Sequence, residues 1–304
     1  MWDSMERHLA LYEARGEPCV IEDGKIWRRY REGIMALGPF NLDYSVSPSV
    51  ARKVMSRLGG QFVMTTNGFS GGPAQGEWYA VICQEFTPLE AYTSKRRSEI
   101  RRGLRNCQVR RIDADYLIAH GYEVFLAAYD RYAGRGGPSW DEAAFQKYVR
   151  LAGQYDDVVH FWGVFHNDRF VAFGLNDIFD RIEAMYFMIK IRPDALDLYP
   201  VYALLYAMDE YYLDQQGFEY VNDGWRAVVH QTGIQDFLVK KFNFRRQYSR
   251  LDVHYAPWLK AAVTCAYPLR GLLGKVSPRA RSLFELERLR RSCRSCVAAP
   301  ADGR

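Results

Sequence analysis

Residues 158–191, VVHFWGVFHNDRFVAFGLNDIFDRIEAMYFMIKI, hold three apolar, aromatic-rich runs divided at Asn167-Asp168 and at Asp180-Arg181. Short polar pairs of this kind tolerate the backbone of tight hairpin turns, so the stretch predicts three antiparallel strands in succession. Along the first two runs, Phe161, Gly163 and Phe165 alternate with Trp162 and Val164, and Phe170, Ala172 and Gly174 alternate with Val171, Phe173 and Leu175. Both alternating sets are apolar, which predicts a sheet covered on both faces. Working toward the C terminus, YPVYALLYAMDEYYLDQQG (199–217) predicts a helix and FEYVNDGW (218–225) a short strand ending in Asn222-Asp223-Gly224. IQDFLVKKFNFRRQYSRLDVHY (234–255) then predicts a helix running into a last strand.

Toward the N terminus, Ser4 to Arg15 reads as a short amphipathic helix, and PCVIEDGKIWRRY (18–30) as a hairpin turning at Asp23-Gly24. Ser47-Pro48-Ser49 can start a helix over 49–59 whose Val50, Val54, Met55 and Leu58 share a face. Residues 60–67 and 77–86 predict two strands. The loop between them, GFSGGPAQG (68–76), is rich in glycine but has neither a Lys-Ser/Thr ending nor a following helix, so it reads as a surface loop rather than a phosphate cradle.

From Ser94 to Arg111 there are eight Lys/Arg against one Glu, in a helix opened by the nearby Pro88. Helical spacing stacks Arg97, Arg101 and Arg105 on one face and Ile100 and Leu104 on another. Two readings stand side by side. One is a solvated basic helix held by its few apolar residues. The other is an anion-binding helix whose row of guanidiniums offers paired donors to a phosphate-bearing ligand. Interleaved aromatics are absent, so sequence-specific reading of DNA or RNA is not expected. Residues 114–151 read as helices around AGRGGPSWDEAAF, with Ser139 as a helix cap and Glu142 completing a capping box.

Composition narrows the classes. The chain has 304 residues, 48% hydrophobic and 15% aromatic, enough for one large or two ordinary folded domains. A net charge of +5 does not demand a nucleic-acid partner. The six cysteines are scattered, which predicts reduced thiols in a cytoplasmic protein, and the single Cys293-x-x-Cys296 has no second pair to complete a zinc site. The six histidines show no i, i+4 pairing, and no metal is expected. The first residues lack the apolar core of a secretory signal, and no run approaches a membrane span. No G-x-S-x-G, HExxH, Walker A or G-x-G-x-x-G pattern is placed as its chemistry requires.

Three pieces carry a resemblance: SKRRSEIRRGLRNCQVRR (94–111), HFWGVFHNDRFVAFGLNDIF (160–179), and YALLYAMDEYYLDQQGFEYVNDGW (202–225) followed by GIQDFLVKKFNFRR (233–246). In these the chain resembles the GCN5-related N-acetyltransferase (GNAT) superfamily, and within it the FemAB-like branch of aminoacyl and peptidyl transferases. The resemblance implies an α+β fold, a mixed, mostly antiparallel sheet flanked by helices. It divides the chain into residues 1–93, a degenerate N-terminal half-copy, residues 94–255, the acyltransferase domain, and residues 256–304, a basic amphipathic extension. One departure matters. Acetyltransferases of this fold seat the coenzyme A pyrophosphate on a glycine-rich turn at a helix N-terminus. The equivalent link here, IKIRPDALDLYPVYALL (189–205), has no glycine, and Pro193 and Pro200 each remove an amide donor.

The resemblance further implies an N-acyltransferase that brings an amine against a thioester or ester carbonyl by direct attack. Acyl-CoA, acyl carrier protein and aminoacyl-tRNA are the donors considered, with an amine-bearing small molecule or peptide as acceptor. Polar residues cluster at the ends of the late strands. Asp223 and His230 are the candidates for amine positioning and proton acceptance, and Tyr186 for protonating the leaving group. Asn222, Arg226, Lys240 and the Arg97, Arg101 and Arg105 row are candidates for holding substrate or donor. The alternative is a binding or scaffold protein that keeps the fold without the chemistry. The tail mixes Trp258, Leu259, Val263, Leu269, Leu272 and Leu273 with Lys260, Arg270 and Lys275. It reads either as helices packed back on the domain or as a segment lying peripherally on the anionic inner face of a membrane.

Overall fold

The structure, a computed structural model, describes residues 3–30, 32–69, 76–130, 140–229 and 233–295. Helix α1 (Asp3–Ala14) leads into β1 (Cys19–Glu22), β2 (Lys25–Tyr30) and β3 (Gly33–Leu37), then α2 (Pro48–Leu58), β4 (Phe62–Thr66) and β5 (Tyr79–Cys83). Next come α3 (Ser94–Asn106), β6 (Gln108–Ile112), α4 (Ala114–Asp130), α5 (Glu142–Gly153), β7 (Val159–His166), β8 (Arg169–Phe179) and β9 (Glu183–Ile191). The chain continues through α6 (Pro200–Asp209), β10 (Tyr220–Trp225), α7 (Gly233–Lys241), β11 (Arg245–Tyr248) and β12 (Leu251–Tyr255). Helices α8 (Pro257–Ala266), α9 (Arg270–Val276) and α10 (Pro278–Ser295) follow.

The hairpin turns form where the sequence places them. Asp23 and Gly24 join β1 to β2 with φ of 56° and 68°, and Asn167 and Asp168 join β7 to β8 with φ of 46° and 63°. Both pairs have the doubly positive φ of the turn that matches strand twist. Helix α2 starts on the Ser47 hydroxyl, which accepts the Val50 amide at 3.3 Å, and stops at Gly59, whose φ is 67°. Its buried face is Ala51, Val54, Met55 and Leu58. Helix α5 is capped differently from the sequence reading. The Asp141 carboxylate accepts the Ala144 amide at 2.8 Å, and Ser139 lies outside the described residues.

The strands form two sheets, ordered β1-β2-β3-β4-β12 and β11-β5-β10-β9-β8-β7-β6. Each contains an antiparallel meander, a helix and a strand parallel to the third: β1-β2-β3-α2-β4 in one, β7-β8-β9-α6-β10 in the other. The N-terminal half is thus a reduced copy of the larger one. The sheets do not divide the chain at residues 93 and 255, because β5 inserts between β10 and β11 while β12 pairs with β4.

The larger sheet is covered on both faces, as its doubly apolar strands require. Phe161, Phe173 and Leu175 pack with Phe125 and Phe145 of α4 and α5, while Trp162, Val164 and Ala172 pack with Leu204 and Leu205 of α6. Fully burying each such side chain contributes about 1.5–3 kcal/mol. The C-terminal helix α10 is part of the fold: Leu286, Leu289 and Cys293 pack against Met64, Leu251 and Val253. The described residues contain no helix long and apolar enough to cross a membrane.

Candidate active site

Parallel strands β9 and β10 pair only from Tyr220 opposite Glu183 to Asn222 opposite Met185. Beyond that point β10 bulges away, with Trp225 aligned on Ala80 of β5, while β9 follows β8 to Ile191. A bulge on β9 at Phe187 falls at the same level, since Asn176 pairs with Tyr186 and Leu175 with Met188. From Phe187 onward β9 is paired on its β8 side alone. Among the described residues no strand pairs with its other edge there, and the two strands diverge.

The bulged end of β10 carries the polar residues of the sequence cluster. Asn222 is buried, and its side-chain oxygen accepts the Gly224 amide at 2.8 Å, which supports the positive φ of 83° at that glycine. Gln235 of α7 donates to the Asp223, Gly224 and Trp225 carbonyl oxygens at 3.3–3.4 Å and so holds the bulge open. Trp225 is stacked on Phe40 and Trp78 at 4.6 and 5.8 Å between ring centres. Asp223 keeps some contact with solvent, yet loss of water around it pushes its carboxyl up to about 7, against the pull of a hydrogen bond from Gln235.

Other candidates are placed elsewhere. Tyr186 is only 3% exposed, and its hydroxyl donates to the buried Asp209 carboxylate at 2.6 Å inside the core, turned away from any solvent-reaching leaving group. Arg101 faces Glu90 at 3.7 Å, and among the described residues neither it nor Arg97 nor Arg105 contacts Asn222, Asp223 or Arg226. Lys240 is exposed. Its neighbour Lys241 instead meets Glu99 of α3 at 2.8 Å, joining α7 to α3. Arg226 is buried and donates to the Glu77 backbone and carboxylate at 3.0 and 3.4 Å. His230 lies outside the described residues, as does Cys296.

Three buried groups of the larger sheet and its helix escaped sequence reading. Glu183 accepts the Phe40 amide at 2.7 Å and the Tyr220 hydroxyl, and burial pushes it up to about 7. Asp209 is pushed up to about 8 by burial, against the hydrogen bond from Tyr186. The Tyr212 hydroxyl receives Trp162 and Asn176 at 3.0 and 3.1 Å. Its one proton is then left to point at His160 Nδ1, 2.9 Å away. That bond fits a neutral His160, whose pKa burial lowers to about 3. An acid inside an apolar strand or helix was the available signal for the first two.

The link from β9 to α6 settles whether a coenzyme A pyrophosphate fits there. Residues 193–198 form a tight 3-10 turn, and Tyr199, with φ of 63°, begins α6 ahead of Pro200. The amides of Tyr202 and Ala203 are both taken by the Tyr199 carbonyl. Helix α3 is pressed against this end. A Cβ on Gly103 would lie 2.6 Å from the Tyr199 oxygen and 3.0 Å from the Ala203 nitrogen. Arg102 also sits over the Tyr199 ring at 4.7 Å. The residues present do not fit a diphosphate at this helix end. No group of three or more His, Cys, Asp or Glu among the described residues is arranged to hold a metal.

The meander-helix-strand pattern with a diverging parallel pair, present once in full and once in reduced form, is a GNAT-like fold. The chain aligns with FemX at a TM-score of 0.56 and 11% identity, over 84% of this chain and 92% of that one. It aligns with the C-terminal (DUF2156) domain of a protein designated lysylphosphatidylglycerol synthetase from Agrobacterium fabrum at 0.53 and 10% identity, over 87% and 91%. No family model matches the chain, and no curated protein matches its sequence. At these identities the likeness defines the fold alone.

Proposed function

We propose that this protein is an N-acyltransferase that moves an acyl or aminoacyl group from an ester or thioester to an amine in the cleft between β9 and β10. The observation that carries the reading is the divergence of these strands beyond Met185 and Asn222, with Asp223 the next residue along β10. An ammonium entering there gives a proton to the Asp223 carboxylate, and the free amine attacks the donor carbonyl. Unpartnered β9 amides hold the tetrahedral oxyanion. Attack forms the C–N bond, and the attacking nitrogen releases its second surplus proton to water. Collapse of the tetrahedral intermediate then breaks the C–O or C–S bond as the proton held by Asp223 passes to the departing alcohol or thiol. Tyr186 has no part in this, because its hydroxyl is committed to Asp209.

The covered N terminus of α6 argues for a donor other than coenzyme A, an aminoacyl-tRNA ester or a carrier-bound acyl group. One neighbour's name describes joining a lysyl group to a lipid, which is chemistry of this class. Peripheral contact with an anionic membrane face draws support from exposed Trp258, Leu269, Leu272 and Val276 beside Lys260, Arg270 and Lys275. The same covered helix end also favours the alternative, a binding protein without catalysis.

Native mass spectrometry against aminoacyl-tRNA, acyl carrier protein and coenzyme A thioesters, followed by single-turnover transfer to an amine, separates the two. Retention and turnover of an ester or carrier-bound donor is the expected result. Binding of none of them, with no co-purified ligand, would sink the transferase reading.

A further inference from the structure

The connection after β10 and the last helices enclose a cavity of about 420 Å³ that no part of the proposed transfer uses. Its walls include Arg226 and Val228 from the connection, Arg270 from α9, and Arg281, Phe284, Arg288 and the acid Glu285 from α10. The size lies within the ~300–1,000 Å³ usual for small-molecule sites. Four guanidiniums meet there, and their carboxylate partners are two. Glu77 takes Arg226 at 3.4 Å and Arg288 at 2.6 Å, and Glu285 takes Arg288 at 2.8 Å. Arg270 donates to the Tyr267 carbonyl and lies over the Tyr267 ring, and among the described residues neither it nor Arg281 meets a carboxylate.

The deepest of the four is the most telling. Arg226 is 9% exposed, and the Glu77 carboxylate that it meets is shared with Arg288. A guanidinium withdrawn from water with only a shared carboxylate beside it leaves the cavity with more positive than negative charge, and an anion there would offset it. Arg226, Arg270 and Arg281 converge from three different elements. A tetrahedral dianion has oxygens for all three directions, whereas a planar carboxylate offers two oxygens in one plane. Val228 and Phe284 add an apolar wall.

We propose that this cavity binds a phosphate monoester, its phosphate held by Arg226, Arg270 and Arg281 and its organic part lying on Val228 and Phe284. The site does not rest on the transferase reading, and Asp223→Asn should leave it intact.

Isothermal titration of the full chain tests it, with phenyl phosphate, inorganic phosphate, adenosine 5′-monophosphate and dihexanoyl phosphatidic acid as probes. Phenyl phosphate should bind saturably at one site and more tightly than inorganic phosphate. The double variant Arg270→Ala/Arg281→Ala changes exposed helix positions and should fold normally, and it should bind at least about ten-fold more weakly. Tighter binding of the phosphatidic acid than of the nucleotide would assign the phosphate to a lipid, and the reverse to a soluble ester. Absence of saturable binding for every probe, or affinity unchanged in the double variant, would overturn the site.

Discussion

Asp223 is the residue on which the proposed chemistry turns. Asp223→Asn should lower single-turnover transfer by roughly 10²–10⁴-fold with an unchanged circular dichroism spectrum, and a variant as fast as the wild type would remove Asp223 from the mechanism. Because the carboxyl is raised to about 7, the wild-type rate should climb with pH through that value as the base loses its proton. A second consequence concerns stability. Asp209, Glu183 and Asp223 titrate at about 8, 7 and 7 in the fold, all above their unfolded values. Between the unfolded and folded pKa the native state binds more protons than the unfolded one, so each group stabilises at low pH and that stability is lost as pH rises. Below about pH 6.5 His160, neutral in the fold, gains a proton on unfolding and opposes this trend. Urea midpoints should therefore fall between about pH 6.5 and about pH 8, each acid contributing a slope of at most about 1.4 kcal/mol per pH unit. Asp209→Asn retains an acceptor for the Tyr186 hydroxyl and should flatten that fall; an identical profile would show that Asp209 does not change protonation on unfolding.

At the level of elements, two helices test how the fold is held together. Helix α3 reads in sequence as a basic helix, with no part assigned to Gly103. In the fold that glycine lets α3 lie directly on the start of α6. Gly103→Ala should cost about 1–3 kcal/mol in urea unfolding, because the contact is with backbone, which has little room to give; a neutral effect would mean α3 is free to move off α6. Helix α10 gives a second test. Leu289 is fully buried between the first sheet and the helix, so Leu289→Ala should cost about 2–5 kcal/mol, whereas a change within ±0.5 kcal/mol would mean the C-terminal helix is docked only loosely. Lys240 and Lys241 show how far periodicity reaches. Spacing puts a lysine at the end of α7, and only the packing of α7 beside α3 decides that Lys241 meets Glu99 while Lys240 faces water.

In the whole molecule the two halves exchange their closing strands. Strand β5 leaves the first sheet to lie between β10 and β11, and β12 leaves the second to pair with β4. A fragment of residues 94–255 would lack the strand that joins β10 to β11 and would strand β12 without its partner. Such a fragment should give no cooperative thermal transition, while the full chain should unfold in a single one, by near-ultraviolet circular dichroism. A cooperative transition in the fragment would show that the exchanged strands are dispensable. The exchange also accompanies the divergence on which the proposed site rests, since the end of β10 aligns with β5 after it has left β9.

By itself the sequence determined the local features. The turns at Asn167-Asp168 and Asp23-Gly24, the cap at Ser47 and the doubly apolar strands from 159 to 175 depend on neighbours a few residues away, and so do the meander-helix-strand order and the fold it resembles. The missing glycine turn after β9 was legible for the same reason. Tertiary structure alone decided which strands leave their own half, that Tyr186 donates to Asp209 inside the core, that α3 covers the start of α6, and that Arg226, Arg270 and Arg281 converge on one cavity. These are contacts between residues tens to hundreds of positions apart. No spacing rule encodes them, because they follow from which faces of distant elements are buried together.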